Sequence, residues 1–138
     1  MKPATVIVSL PVADSERALR FYHDGLGLAP AEVDESIIAF ELPNLSLFLI
    51  EYGEYEKYTS RAGITPRLPA PGACSLSCAI GSKEELDDIL GRATAAGASV
   101  ARPAGEYDGS YMGYFSDPDG HLWELVVNAQ TEAAATAQ

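Results

Sequence analysis

The sequence predicts an α+β fold of two tandem βαβββ modules that form a cup-shaped mixed sheet. Three observations lead to this prediction. A segment that alternates apolar and mixed side chains is followed by a helix-capping residue twice, at Asp14 and at Ser82. Both predicted helices end at glycine, at Gly25 and Gly27 in the first half and at Gly97 in the second. Three short segments of strand character then follow each glycine stop, as an internal duplication requires.

Module one is expected to span residues 4–52. Residues 6–12 alternate apolar and mixed side chains, which is typical of a strand with one face on a core. The helix that begins after Asp14 carries an apolar stripe that includes Phe21 and Tyr22. Three strands should complete the module, at 31–33, 36–42 and 45–51.

Module two is expected to span residues 72–128. Its first strand contains Cys74 and Cys78, and Ser82 with Glu85 forms a capping box for the following helix. Three strands are then predicted at 99–102, 111–116 and 121–128. Together the modules make a single domain over residues 1–130, which is an ordinary size for one core.

Two segments fall outside the modules. Residues 53–71 show no clean period and are expected to be a plain linker, a flap over a ligand or a dimer contact. Residues 131–138 are polar and alanine-rich, which predicts a disordered tail.

Charge and composition exclude several function classes. The chain has 138 residues and a formal net charge of −11, which disfavours nucleic-acid and membrane-surface partners and is compatible with a cationic ligand. Acidic surface charge that only maintains solubility is the simpler explanation and the favoured one. No segment resembles a secretory signal or a membrane span, so a cytoplasmic location is expected.

The two cysteines do not predict a disulfide or a zinc site. On an extended strand, Cys74 and Cys78 would lie about 13 Å apart. A disulfide needs Cα atoms within about 7 Å. Both are therefore interpreted as buried apolar residues.

Two motifs resemble the vicinal oxygen chelate superfamily, which includes glyoxalase I, bleomycin-binding proteins, fosfomycin-resistance enzymes and extradiol dioxygenases. The first runs from Val8 through the Asp14 helix, with Arg20-Phe-Tyr, to the Gly25-Leu-Gly-Leu turn. The second is Gly113-Tyr-Phe-Ser-Asp-Pro-Asp-Gly-His-Leu-Trp-Glu-Leu. The resemblance covers about residues 4–128 and implies the two-module fold and a small-molecule site.

The resemblance also implies four metal-ligand positions on inner strand faces, and only one of them retains a ligand. These positions correspond to Ile7, Phe48, Ala73 and Glu124, so Glu124 is the only side chain able to bind a metal. Glu51 is near the second position but faces the opposite way by strand parity. The expected cofactor is therefore none, with zinc, nickel, iron or manganese as the alternative.

Glu124 is predicted to point inward, where desolvation raises a carboxylate pKa and suits a general base or an anchor for a ligand. The alternative is a remnant of a metal site that bonds a neighbouring tyrosine or amide. Trp123 falls on the helix side and is expected in the core, and His23 and His121 are expected to be packing or surface residues. The remaining site residues are expected to bind a ligand: Ile7, Ser9, Phe48, Ile50, Ser75, Ser77, Tyr111 and Tyr114.

Two functions follow from the resemblance. The first is a metal-free module that binds an aromatic or cationic small molecule. The second is a lactoylglutathione-lyase-like lyase or isomerase, or a dioxygenase-type enzyme, in which Glu124 transfers a proton with or without a divalent metal. A scaffold that only dimerises is a third, weaker reading, and a homodimer is expected in any case because related modules commonly pair.

Overall fold

The computed structural model describes residues 1–136, which form two compact units, Met1–Ala70 and Pro71 onward. Each unit contains one four-stranded mixed sheet, with strand order β1-β4-β3-β2 in the first and β5-β8-β7-β6 in the second. The predicted fold class of two tandem βαβββ modules is therefore confirmed. None of the helices within residues 1–136 is long and apolar enough to span a membrane.

The first unit follows the predicted order closely. Helix α1 begins after Asp14, whose carboxylate accepts hydrogen bonds from the Glu16 and Arg17 amides, and it continues as a π-helical turn over Arg20–Gly25. Its regular elements are β1 (Ile7–Val12), α1 (Ser15–Leu19), β2 (Glu32–Val33), β3 (Ile37–Leu42), β4 (Leu45–Glu51) and α2 (Tyr52–Arg61). In this sheet β1 pairs parallel with β4, and the other pairs are antiparallel.

The second unit repeats the pattern. Ser82 caps α3 by accepting a hydrogen bond from the Glu85 amide, as the capping box predicted. Its elements are β5 (Ser75–Ala79), α3 (Lys83–Ala95), β6 (Gly105–Tyr107), β7 (Ser110–Ser116), β8 (Leu122–Val127) and α4 (Ala129–Thr136). Here β5 pairs parallel with β8, and β7 joins β8 to β6 in antiparallel pairs.

The core of each unit lies between one face of its sheet and the helix that follows the first strand of that sheet, α1 or α3. In the first unit Phe21, Tyr22 and Phe40 are fully buried, with Phe21 and Tyr22 in an edge-to-face ring contact at 4.8 Å between centroids. In the second unit Trp123 is buried and stacks on Phe115 at 6.0 Å, which confirms its predicted core position. The opposite face of each sheet is left for the candidate sites.

The predicted strand at 99–102 is wrong. Only Ser99 is bridged there, to Ser116, and the edge strand is β6, three residues long. β6 joins β7 through a two-residue Asp108-Gly109 turn in which both residues have positive φ, 51° and 82°. Asp-Gly is the preferred sequence for this hairpin turn, so the signal was present in the sequence.

The segment 53–71 begins with a helix rather than an irregular linker. Helix α2 follows β4 directly and contacts β4 and β1. Tyr55, Tyr58 and Thr59 of α2, with Ala62 directly after it, recur at the spacing of one helical face, but this face lacks the aliphatic side chains that usually mark a helix.

The C-terminal residues also form a helix. Residues as far as Thr136 belong to α4, whose first amides donate to the Asn128 side chain. The last two residues of the predicted tail, 137–138, lie outside the described residues.

Both cysteines are free thiols, and the expectation that both are buried is wrong. Cys74 is exposed because β5 begins one residue after it. Cys78 is half-buried, and that burial raises the pKa of its thiol.

Candidate functional site

A cavity of about 450 Å³ lies within the first unit, on the sheet face opposite α1. Strand alternation places every second residue of β1, β3 and β4 on this face. Ser9 is paired with Phe48, and Ile37 with Ile50, so the side chains form rows across the sheet. The sheet side of the cavity consists of Ile7, Ser9, Ile37, Phe48 and Ile50.

Helix α2 and the residues after it supply the other side of the cavity. The helix has no fully buried residue, and its inward face is turned toward the cavity instead of filling a core. The lining residues from this segment are Tyr55, Tyr58, Thr59, Ala62 and Ile64. None of these five residues, nor Ile37, was among the predicted site residues; only the expectation of a flap within residues 53–71 pointed to this segment.

The cavity is partly open, and its exposed lining is apolar. Three lining residues are among the large hydrophobic side chains most exposed to solvent: Ile7 at 50%, Tyr58 at 39% and Ile64 at 58%. Exposed apolar side chains that cluster at a concave surface are typical of ligand-binding sites.

The charge around the cavity does not favour a cation. In the described part of the chain, no aspartate, glutamate, lysine, arginine or histidine lines the cavity. The Arg61 guanidinium carbon lies 5.3 Å from the centre of the ring of Tyr58, a lining residue. The expected acidic anchor for a cationic ligand is therefore missing from the lining.

Glu124 lies on the corresponding sheet face of the second unit, in a row with Ser77 and Tyr114. The Tyr114 hydroxyl donates a hydrogen bond of 2.8 Å to Glu124 Oε2, and this bond raises the pKa of the Tyr114 phenol. Glu124 is half-buried and Tyr114 is 40% exposed, so desolvation of the carboxylate is partial. Ser75 and Ser77 are exposed on the same face.

Tyr111 does not join this group. By strand parity it lies on the helix side of the sheet, where its hydroxyl donates to Asp87 Oδ1 of α3 at 2.6 Å. The Lys83 ammonium lies 5.4 Å from the centre of its ring. The bond to Asp87 raises the pKa of the Tyr111 phenol. The structure therefore separates two residues that the sequence analysis placed in one ligand site.

The residues at the implied metal positions do not fit a divalent metal. Ile7 and Phe48 are apolar, and Glu124 is bonded to Tyr114. Ala73 precedes β5, so it does not open that strand; Ser75 precedes the Ser82 cap by the same distance as Ile7 precedes Asp14.

Glu51 does not supply a second metal ligand. Its carboxylate accepts a hydrogen bond of 3.0 Å from the Ser15 amide at the start of α1. Across residues 1–136, no group of three or more His, Cys, Asp or Glu side chains could hold a metal ion.

The two histidines are also accounted for by local structure. His23 is exposed, with its Nδ1 3.0 Å from the Leu28 carbonyl oxygen. His121 is buried in the turn before β8, where its amide donates to Asp117 Oδ1. Both positions agree with the expected surface and packing roles.

The family model for the glyoxalase/bleomycin resistance protein/dioxygenase superfamily matches residues 5–125. No curated protein sequence matches the chain. The match therefore covers both modules and most of the chain, and it includes both motifs on which the resemblance rests.

Solved structures show the same fold. A glyoxalase-related enzyme from Fulvimarina pelagi is 26% identical, with a TM-score of 0.79 over 92% of this chain and 89% of that one. A lactoylglutathione lyase from Agrobacterium tumefaciens is 25% identical, with a TM-score of 0.67 over 92% and 95%. The fosfomycin resistance protein FosX from Mesorhizobium loti, at 16% identity and a TM-score of 0.66 over 97% and 98%, supports the fold alone.

Proposed function

The chain belongs to the glyoxalase/bleomycin resistance protein/dioxygenase superfamily, and on this premise we propose that it binds a small aromatic molecule in the first-unit cavity without a metal. The observation that carries the proposal is the cavity itself. Its volume of about 450 Å³ falls in the range of small-molecule sites, and Phe48, Tyr55 and Tyr58 offer aromatic surface to a ligand.

The side chains at the positions that correspond to metal ligands support binding that does not depend on a metal. The two first-unit positions that the family uses for metal ligands, Ile7 and Phe48, are part of the apolar lining. A ligand at this place would therefore contact hydrocarbon and aromatic groups instead of chelating an ion. Burial of apolar surface supplies about 25 cal/mol for each Å² removed from water.

The test is a titration with N-phenyl-1-naphthylamine, an uncharged probe that fluoresces in apolar surroundings. We expect saturable binding of one probe per chain, unchanged by EDTA. Thr59→Trp fills the cavity from α2 and should weaken binding by at least about tenfold, or 1.4 kcal/mol. Ser60→Trp, at an exposed position of the same helix outside the cavity, should bind like the wild type.

Saturable binding that Thr59→Trp leaves intact would place the probe elsewhere and contradict the proposal. Absence of saturable binding would contradict it as well. Circular dichroism of both variants checks that each retains the fold.

The second candidate is proton transfer by Glu124 in a lyase or isomerase reaction. The hydrogen bond between Tyr114 and Glu124 favours it, because the pair can exchange a proton with a substrate on the exposed face of the second sheet. A lactoylglutathione lyase assay, run with and without added nickel or zinc, tests it. Activity that disappears in Glu124→Gln supports this candidate, and activity that persists in Glu124→Gln contradicts it.

The homodimer expected from the sequence remains part of the proposal. Sedimentation equilibrium at micromolar concentration should give twice the chain mass. A mass of one chain would contradict it without affecting the cavity proposal.

A further inference from the structure

We propose that the first-unit cavity selects an uncharged, ring-containing molecule with one hydrogen-bonding oxygen, and that the Ser9 hydroxyl recognises this oxygen. The inference rests on the proposed binding function and specifies its ligand class. Three features of the cavity support it: the absence of charge in its lining, the state of its hydroxyl groups and the character of its opening.

The lining excludes a charged group from the interior. Within residues 1–136, the ten residues that line the cavity include no side chain that is ionised at neutral pH. A charge that leaves water without a partner costs several kcal/mol. The acidic residues that give the chain its net charge of −11 are not part of this lining, so they make no contact with a cation inside the cavity.

Ser9 offers a hydroxyl that the described part of the chain does not use. It is half-buried on β1 and lines the cavity, and no residue within 1–136 forms a hydrogen bond with its side chain. The hydroxyls of Tyr55 and Tyr58 in the same lining are equally without a hydrogen bond within these residues, but Ser9 is the one on the sheet side. The other serine on the same sheet face, Ser46, donates to Glu41 at 2.6 Å, and Thr59 of the lining donates to the Glu56 carbonyl at 3.2 Å. A half-buried hydroxyl beside Phe48 gains from a ligand oxygen that pairs with it.

The opening fits an apolar molecule entering from water. Ile7, Tyr58 and Ile64 remain substantially exposed there and would lose water contact when a ring passes them. Inside, the Phe48 and Tyr55 rings provide surfaces that can stack or pack edge-on against an aromatic ring. The single hydrogen bond to Ser9 then fixes the orientation of an otherwise apolar ligand.

The test compares four probes with one ring system: 2-naphthol, naphthalene, 2-naphthoate and 2-naphthylmethylammonium, each by displacement of N-phenyl-1-naphthylamine at pH 7. We expect 2-naphthol to bind about three- to tenfold more tightly than naphthalene, as one net hydrogen bond gives. The two charged probes should bind at least about tenfold more weakly than 2-naphthol.

Ser9→Ala should abolish the difference between 2-naphthol and naphthalene and leave naphthalene binding unchanged. Ser77→Ala, the matched serine of the second unit, should preserve the difference. A naphthol preference that survives Ser9→Ala, or that disappears in Tyr55→Phe instead, would overturn the role of Ser9.

The remaining outcomes separate this inference from the proposed function. Tightest binding of the ammonium probe, or of the carboxylate through Arg61 with loss in Arg61→Ala, would overturn the ligand class while the binding function stands. Failure of all four probes to displace bound N-phenyl-1-naphthylamine would also overturn the ligand class, while the binding function would stand. If N-phenyl-1-naphthylamine itself does not bind, both proposals fail.

Discussion

The two modules present different side-chain chemistry on corresponding rows of their two sheets. Each row begins with a serine on the first strand, Ser9 in module one and Ser77 in module two. The next two members are Phe48 and Ala39 in module one, but Glu124 and Tyr114 in module two. Duplication thus preserved the backbone pairing, while substitutions on one row made one face apolar and the other polar.

The helices that follow the two sheets differ in the same way. Helix α2 starts directly after β4 and α4 starts shortly after β8, so the repeated order extends to a sixth element. α2 lines a cavity with two tyrosines, whereas α4 is alanine-rich and brings Ala135 against Gly81, where an added Cβ would lie 2.9 Å from the alanine Cβ. In module one an apolar row and a helix with large side chains thus line the cavity together.

Replacing Phe48, the central residue of the module-one row, should have the largest effect on probe binding and stability. Phe48→Glu introduces the carboxylate of module two, but Ala39 stands where Tyr114 would donate to it. We expect loss of probe binding and a fall of about 2–4 kcal/mol in the free energy of unfolding, from lost aromatic burial and an unpaired carboxylate.

Urea denaturation and probe titration measure the two effects of Phe48→Glu. Phe48→Leu is the control, and it should retain binding and most of the stability. Probe affinity in Phe48→Glu equal to that of Phe48→Leu would show that the apolar row does not create the cavity.

On the sheet face that packs against the helix, module one has Ile38 where module two has Gly113. Ile38 pairs with Leu49 on β4, and Gly113 pairs with Leu125 on β8. A Cβ added to Gly113 would lie 2.7 Å from Leu90 Cδ1, so α3 packs against bare backbone there. Gly113→Ala should therefore lower the free energy of unfolding by about 1–3 kcal/mol through overpacking.

The control for Gly113→Ala is Gly91→Ala, at an exposed position of α3 with open space around its Cα. It should raise the free energy of unfolding by about 0.5–1 kcal/mol, since alanine favours the helix. Equal stability of the two variants would mean that the close approach of α3 to β7 carries no energetic constraint.

The scaffold was predictable because its signals are local. Asp14 and Ser82 mark helix starts by hydrogen bonds to amides a few residues away, and strand parity placed Trp123 in the core. Parity also placed Ile7 and Phe48 on one face, where the structure finds them in a single cavity.

Other features were not predicted, because they depend on contacts between distant residues or because their local signal in the sequence is unusual. Strand parity alone places Tyr111 and Tyr114, three residues apart on β7, on opposite faces, but the bond from Tyr111 to Asp87 of α3 is a contact between elements that the sequence does not show. Helix α2 was missed because tyrosine, threonine and alanine form its inward face in place of the usual aliphatic stripe. The Asp108-Gly109 turn is a local signal that the sequence does contain, and it marks the β6–β7 hairpin, which was not predicted.

The smallest expected effect concerns the polar row of module two. The hydrogen bond to Glu124 raises the pKa of Tyr114, and the nearby negative charge adds to the shift. Glu124→Leu removes the acceptor and the charge, so the Tyr114 pKa should fall toward its usual range, as measured by NMR titration of ring-labelled tyrosine.

Asp87→Asn is the control for Glu124→Leu, because it should lower the pKa of Tyr111 and leave that of Tyr114 in place. The sign of the pH dependence follows from the direction of the shift. Because the Tyr114 pKa is raised in the folded chain, the stabilisation from its bond is fully present below the pKa of the unfolded phenol and is lost as the pH rises through the folded pKa. Identical Tyr114 titrations in the wild type and Glu124→Leu would show that the two side chains do not interact in solution, and the contrast between an apolar and a polar row would then rest on Phe48 alone.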